Sequence, residues 1–178
     1  MDEDINVKLY WAANRGEYEK VSTLISRGAS PEWTDGSGRS ALHYAACIGR
    51  DLVARLLLDH GWQLDRANNW GWTPLHHAAY RGQVSTLQLL AARGAKINTQ
   101  DNSKETPLHK AADGGHPAAV RLLLSLGADR RVKNDEDKTA EELCEDEETR
   151  AVFTEIPDQG AAGQGGQGAG MAHRCCSS

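Results

Sequence analysis

Long apolar runs and disulfide patterns are missing from this 178-residue sequence. No stretch approaches the roughly 20 apolar residues that a membrane-spanning helix needs. The four cysteines, two of them adjacent near the C-terminus, do not form a disulfide framework, which favours a reducing compartment. Residues 1–4 are acidic and lack the basic and apolar pattern of a signal peptide. We therefore predict a cytoplasmic or nuclear protein.

An excess of positive charge is missing as well. The formal net charge is −5, which argues against nucleic acid as a partner because duplex affinity depends on phosphate neutralisation by Lys and Arg. Acidic residues crowd the segment 135–148. We interpret that segment as a solvated end of the domain, with a docking site for a basic partner as the alternative.

Signatures of catalysis are also missing. The sequence has no phosphate-binding G-x-x-x-x-G-K-[ST], no H-E-x-x-H and no nucleophile elbow. Residues 163–168 match G-x-G-x-x-G, but that motif binds dinucleotides only where it joins a strand to a helix, and here the chain ends ten residues later. We therefore predict no enzyme, no cofactor, no metal and no small-molecule substrate.

Internal repetition is the main feature that the sequence does have. Several residue types recur every 33 positions, which indicates a stacked repeat array. These are two series of glycines, one of leucines and one of Ala-Ala pairs: Gly16, Gly49, Gly82 and Gly115; Gly28, Gly61, Gly94 and Gly127; Leu9, Leu42, Leu75 and Leu108; and the pairs that begin at Ala12, Ala45, Ala78 and Ala111. An array of this kind offers an extended surface and usually no deep catalytic cleft.

The third unit predicts two short helices. Thr73 stands where an N-cap belongs, Pro74 takes the first helical position, and Gly82 ends the first helix in the left-handed conformation. A second run of apolar residues follows and ends at Gly94. Because helices this short are marginal alone, they must gain stability from neighbouring units.

Two units carry a specific signature. Thr73-Pro74-Leu75-His76 and Thr106-Pro107-Leu108-His109, each followed by an Ala pair, resemble the signature of the ankyrin repeat, and residues 40–46 are a weaker copy. The resemblance implies an all-α ankyrin-repeat solenoid of helix-turn-helix-loop units over residues 1–156. We place the units at about 1–34, 35–67, 68–100, 101–133 and 134–156, as three full central repeats between two capping repeats. The first and last units depart from the signature, as capping repeats do.

The resemblance also implies a function and a surface. Ankyrin arrays bind partner proteins in a concave groove, through loop tips and the residues after each Ala pair. Carried onto this sequence, those binding positions include Arg39, Ile48, Asn69, Trp70, Trp72, Tyr80, Arg81, Asn102, Glu105 and Asp113. The resemblance assigns His43, His76 and His109 to hydrogen bonds within and between repeats. One repeat apart, near 10 Å, they cannot share a metal ion.

Aromatic residues make the third repeat distinctive. Trp70, Trp72, Tyr80 and Arg81 are expected on one face, and these residue types often dominate interfaces. The alternative is that both tryptophans pack across neighbouring loop tips. We expect Trp11 to be covered and structural.

The last 22 residues have a different composition. Gly, Gln and Ala dominate residues 159–170, so we predict that residues 157–178 are a disordered tail. Cys175 and Cys176 are candidates for lipidation, with an unmodified tail as the alternative. We therefore expect a monomeric adaptor, scaffold or stoichiometric inhibitor whose partners are proteins, and a membrane only if these cysteines are lipidated.

Overall fold

A computed structural model describes residues 4–156, and the expectations for residues 157–178 lie outside that part. The described chain is all-α, which confirms the predicted solenoid class. Its helices come in consecutive pairs: α1 Ile5–Arg15 and α2 Tyr18–Ser26, α3 Ala41–Ile48 and α4 Asp51–Asp59, α5 Pro74–Tyr80 and α6 Val84–Ala92, α7 Pro107–Asp113 and α8 Pro117–Ser125. A 3₁₀ turn, Glu141–Leu143, and α9, Glu147–Glu155, form the last pair.

Reciprocal hydrogen bonds begin the inner helices of the three central units. At the start of α5, the side chain of Thr73 accepts from the backbone N–H of His76, and His76 accepts from the backbone N–H of Thr73. Ser40 with His43 and Thr106 with His109 repeat this capping box. The helix then ends before Gly82, where φ is 63° and an added Cβ would lie 2.7 Å from the His116 ring. Both conditions favour glycine.

Small residues bring the inner helices together. All four Ala pairs are essentially inaccessible, and the leucines that precede them are buried in the layer between repeats. Consecutive inner helices α1, α3, α5 and α7 contact one another, and the outer helices α2, α4, α6 and α8 form a second row. The result is one continuous core from Leu9 to Phe153, in which each repeat depends on its neighbours.

The loops between repeats are held by a series of Asx residues spaced 33 apart. Asn68 accepts at Oδ1 from the backbone N–H groups of Trp70 and Trp72, at 3.0 and 2.9 Å. Asp35, Asp101 and Asn134 make the same pair of bonds in their loops. Such side-chain acceptors stabilise tight turns. Each loop therefore projects in a defined conformation beside the inner helices.

Trp11 is exposed, so the expectation that it is covered is wrong. The equivalent residue of the second repeat, Tyr44, is buried because it packs on Tyr10 of the first repeat, with ring centroids 4.2 Å apart. Within residues 4–156, no repeat precedes Trp11 in the same way. Its side chain is 45% exposed as a consequence.

Candidate functional site

The signature histidines link each repeat to the next. His76 Nδ1 accepts from the Thr73 backbone N–H at 3.1 Å, so the Nε2–H group is left to donate to the carbonyl oxygen of Glu105, also at 3.1 Å. His43 and His109 bond the carbonyl groups of Trp72 and Lys138 in the same way. Burial lowers the pKa of His43 and of His76 to about 4 and also lowers that of His109. The neutral rings therefore fix the loop residues Trp72, Glu105 and Lys138 against the inner helices.

The ten predicted binding residues lie on the inner-helix ends and the adjoining loops. Seven have exposed side chains: Ile48, Asn69, Trp70, Tyr80, Arg81, Asn102 and Asp113. The other three are only partly accessible: Arg39, Trp72 and Glu105.

Trp72 and Trp70 have different environments. The Trp72 ring contacts Tyr80 and His77 of its own repeat, at centroid distances of 5.5 and 5.0 Å. On the next repeat, the Lys110 ammonium lies 4.5 Å from the Trp72 ring centroid, a cation–π contact. Trp70 has no such ring contact within the described residues and is 53% exposed. Trp72 therefore joins two repeats, whereas Trp70 is accessible to a partner.

Glu105 belongs to a largely buried ionic network that the sequence reading did not identify. Lys110 Nζ lies 2.9 Å from Asp101 Oδ2 and also contacts the Glu105 carboxylate, while Asn134 Nδ2 donates to Glu105 Oε1 at 3.1 Å. Burial alone would lower the pKa of Lys110, but its hydrogen bonds to the two carboxylates raise that pKa above its usual value. The charges of Lys110 and Asp101 are thus compensated inside the array. Lys110 directly follows the signature histidine His109. In the sequence alone, only the acidic residue Asp101, nine positions earlier, could have indicated this ion pair.

Arg39 and the two loop-tip asparagines also make internal contacts. The Arg39 guanidinium pairs with Asp35 at 2.9 Å and lies 4.5 Å from the Tyr44 ring centroid. Asn102 Nδ2 donates to the Asn69 carbonyl at 3.0 Å, and Asn69 Nδ2 donates to the carbonyl of Gly36. These side chains tie neighbouring loop tips together.

Five of the predicted residues remain accessible and have few internal contacts. Ile48 is 37% exposed and Tyr80 is 38% exposed, and Trp70 is more exposed than either. The Arg81 guanidinium lies 5.9 Å from the Tyr80 ring centroid. Neither Arg81 nor Asp113 forms an ion pair with another described residue. These five residues thus offer apolar and aromatic side chains together with charges of both signs.

Two other kinds of site are absent from residues 4–156. The His, Cys, Asp and Glu side chains there form no group that could hold a metal ion. The helices of this region are too short or too polar to span a bilayer.

Comparisons with known proteins agree with the repeat geometry. A family model of ankyrin repeats in three copies matches residues 9–101, and a second model of ankyrin repeats matches residues 89–144. Serine/threonine-protein kinase 12 of Arabidopsis thaliana is 40% identical over 62 residues, which are 35% of this chain and 14% of that protein. E3 ubiquitin-protein ligase Ufd4 of Drosophila melanogaster is 41% identical over 61 residues, 34% of this chain and 2% of the relative. Potassium channel GORK of Arabidopsis thaliana is 38% identical over 56 residues, 32% of this chain and 7% of the channel.

Proposed function

The chain belongs to the ankyrin repeat family, and we propose that it binds a partner protein in its concave groove as a non-catalytic adaptor, scaffold or stoichiometric inhibitor. Ankyrin repeats are generally protein–protein interaction modules, and ankyrin domains are typically non-catalytic. We also propose a cytoplasmic or nuclear location and a monomeric state.

The exposed residues Trp70, Tyr80 and Arg81 carry this proposal. Large aromatic side chains and arginine are the residue types that most often dominate binding energy, because they combine rigid contact area with a polar group. Here they lie in one repeat, on a loop and an inner-helix end that the Asx turn and the His76 capping box hold in place. Because these loop and helix residues are already ordered, little binding free energy is lost to ordering them when a partner binds.

The curated relatives support the module rather than any one activity. A kinase, a ubiquitin ligase and a potassium channel share with this chain only a segment of roughly two repeats. That segment covers a minor part of each relative. The shared feature is therefore the repeat itself, and kinase, ligase and channel activities are not transferred.

Photocrosslinking tests the groove directly. Benzoylphenylalanine replaces Tyr80 in one sample and Gln88, an exposed residue of the outer helix α6, in a matched sample. We expect a discrete crosslinked partner from position 80 and none from position 88 in cell extract. Crosslinks from position 88 alone would place the partner on the outer helices and contradict the proposal.

A second candidate function adds a membrane anchor. Cys175 and Cys176 are adjacent and follow a Gly/Gln/Ala-rich segment, and two acyl chains together would give stable membrane attachment. Fractionation of the full chain against the Cys175→Ser/Cys176→Ser variant separates the two functions. An anchored adaptor moves from the membrane to the soluble fraction in the variant, whereas an unanchored one is soluble in both forms.

A further inference from the structure

The N-terminal end of the array carries a small basic cavity around an exposed indole. Lys8, Trp11 and Arg15 on α1 and Lys20 on α2 line a cavity of about 250 Å³. The three α1 residues are spaced by three and four positions, which puts them on one side of the helix. We call these four residues the basic indole face.

The residues that correspond to the two lysines are buried in the second and third repeats. Ala41 and Pro74 correspond to Lys8, and Val53 and Thr86 correspond to Lys20; all four are buried. The first repeat therefore has lysines where the others have small contact residues. Terminal repeats need a polar outer face, which accounts for the lysines. It does not account for Trp11, a large aromatic residue left accessible among them.

The basic indole face has an excess of positive charge on an acidic protein. Glu17 is the carboxylate that contacts it, with Oε2 lying 3.1 Å from Lys20 Nζ and Oε1 lying 3.7 Å from Arg15 Nη1. Lys8 forms no ion pair with any residue between 4 and 156. Among residues 4–156, the three cations thus have one carboxylate in contact with them, although the chain as a whole has a net charge of −5. These three cations attract a negatively charged segment, whereas the acidic segment 135–148 repels it.

We propose that the basic indole face is a second docking site, for an acidic linear segment of a partner protein that also carries an apolar side chain. Carboxylates of the segment pair with Lys8, Arg15 and Lys20, and its apolar side chain packs on Trp11. A cavity of about 250 Å³ accommodates one or two side chains, whereas drug-sized ligands occupy roughly 300–1,000 Å³. This site goes beyond the proposed groove function, since Lys8, Trp11 and Lys20 lie outside the predicted groove positions and Arg15 alone stands at one of them.

A titration with defined peptides tests the proposal. The probes are a short peptide in which Asp and Glu flank two leucines and a neutral twin with Asn and Gln in their place. Nitrogen-15 NMR of the full chain follows the indole signal of Trp11, assigned with the Trp11→Phe variant, and the amides of residues 8–20. We expect saturable shifts of these signals with the acidic peptide, weakening as salt rises. Equal shifts with the neutral twin, or shifts confined to the groove, would overturn the proposal.

Paired variants separate this site from general charge effects. Lys8→Gln/Lys20→Gln should weaken the peptide about tenfold, as expected for losing two paired charges at a small site. Arg55→Gln/Lys96→Gln removes two exposed charges elsewhere and should leave affinity within about twofold. Tyr80→Ala changes the groove and should also leave the peptide affinity unaltered. The peptide titration therefore tests the basic indole face separately from the groove proposal. Equal weakening by both double variants would contradict the basic indole face.

Self-association is the other outcome that the titration detects. Concentration-dependent shifts without peptide, at residues 8–20 and 141–148 together, would show that the acidic end of a second copy occupies the site. That result would overturn the proposal of a separate partner.

Discussion

His76 Nε2 lies 3.1 Å from the carbonyl oxygen of Glu105, so a side chain of the third repeat holds the backbone of the fourth. The opposite ring nitrogen accepts from the backbone N–H of Thr73. One buried imidazole therefore starts its own helix and also fixes the next loop. The positions of the groove residues depend on such links.

Removing this ring should destabilise the array. His76→Ala leaves the buried Thr73 N–H without a partner and removes one of the two hydrogen bonds to the Glu105 carbonyl, which still accepts from the Asp101 backbone N–H, at a cost of about 1–3 kcal/mol in the free energy of unfolding. Urea unfolding measures this cost. His60→Ala, at an exposed histidine, is the control and should change stability by about 0.5 kcal/mol or less. Equal midpoints for the two variants would contradict the role of His76.

Stability should fall on mild acidification. The pKa of His43 and of His76 is about 4 in the folded state, whereas a histidine in the unfolded chain titrates near 6.5. The unfolded state therefore binds more protons below pH 6.5, and stability is lost from there down to about pH 4. Each such histidine contributes a loss of about 2 kcal/mol between pH 7 and pH 5.

Urea unfolding at pH 7 and pH 5 measures that loss. The His76→Ala variant lacks one of these titrating groups, so its stability should depend less on pH than that of the parent, by about 2 kcal/mol over this interval. An unchanged pH dependence in the variant would show that His76 is not held neutral.

The buried lysine should be essential for stability. Lys110→Met removes the cation that compensates Asp101 and Glu105, leaving Asp101 buried and unpaired, and should cost about 3 kcal/mol. Lys96→Met, at an exposed lysine, should be nearly neutral. Thermal or urea unfolding of both variants gives the comparison. A Lys110→Met protein as stable as the Lys96→Met control would show that the ionic network adds nothing.

Trp72 should affect folding as well as binding. Trp72→Ala loses contacts with His77, Tyr80 and Lys110, so we expect a loss of about 2 kcal/mol or more in stability. Trp70→Ala removes a more exposed side chain and should leave the melting temperature near that of the parent. The opposite order of the two melting temperatures would show that Trp70 is the structural residue.

The repeat architecture was predictable because it depends on local residue preferences and on residues that recur at a fixed spacing. The period of 33, the Thr-Pro starts and the glycine stops specify short helices, and helices of that kind must stack. The series Asp35, Asn68, Asp101 and Asn134 has the same spacing, yet Asx residues are common in loops, and only the backbone conformation shows which N–H groups they accept from.

The accessibility of the predicted groove residues could be predicted from the sequence only in part. Their sequence positions placed Trp72 and Glu105 in successive loops. Their accessibility, however, depends on Lys110 of α7, whose ammonium group contacts the Glu105 carboxylate and lies over the Trp72 ring. The exposure of Trp11 was missed for a related reason. Alignment with Tyr44 assumes a preceding repeat, and burial of that position depends on the neighbour rather than on the residue.

The most direct test of the central claim is the partner binding of matched variants. Proteins enriched on the immobilised parent are quantified again on Trp70→Ala/Tyr80→Ala and on Arg55→Ala/Gln88→Ala, a control pair on the outer helices. Losing two interface hot spots should weaken binding by about 2 kcal/mol or more, so the groove variant should lose the partner and the control should retain it. A partner that stays on the folded groove variant but is lost from the control would contradict recognition through the concave groove.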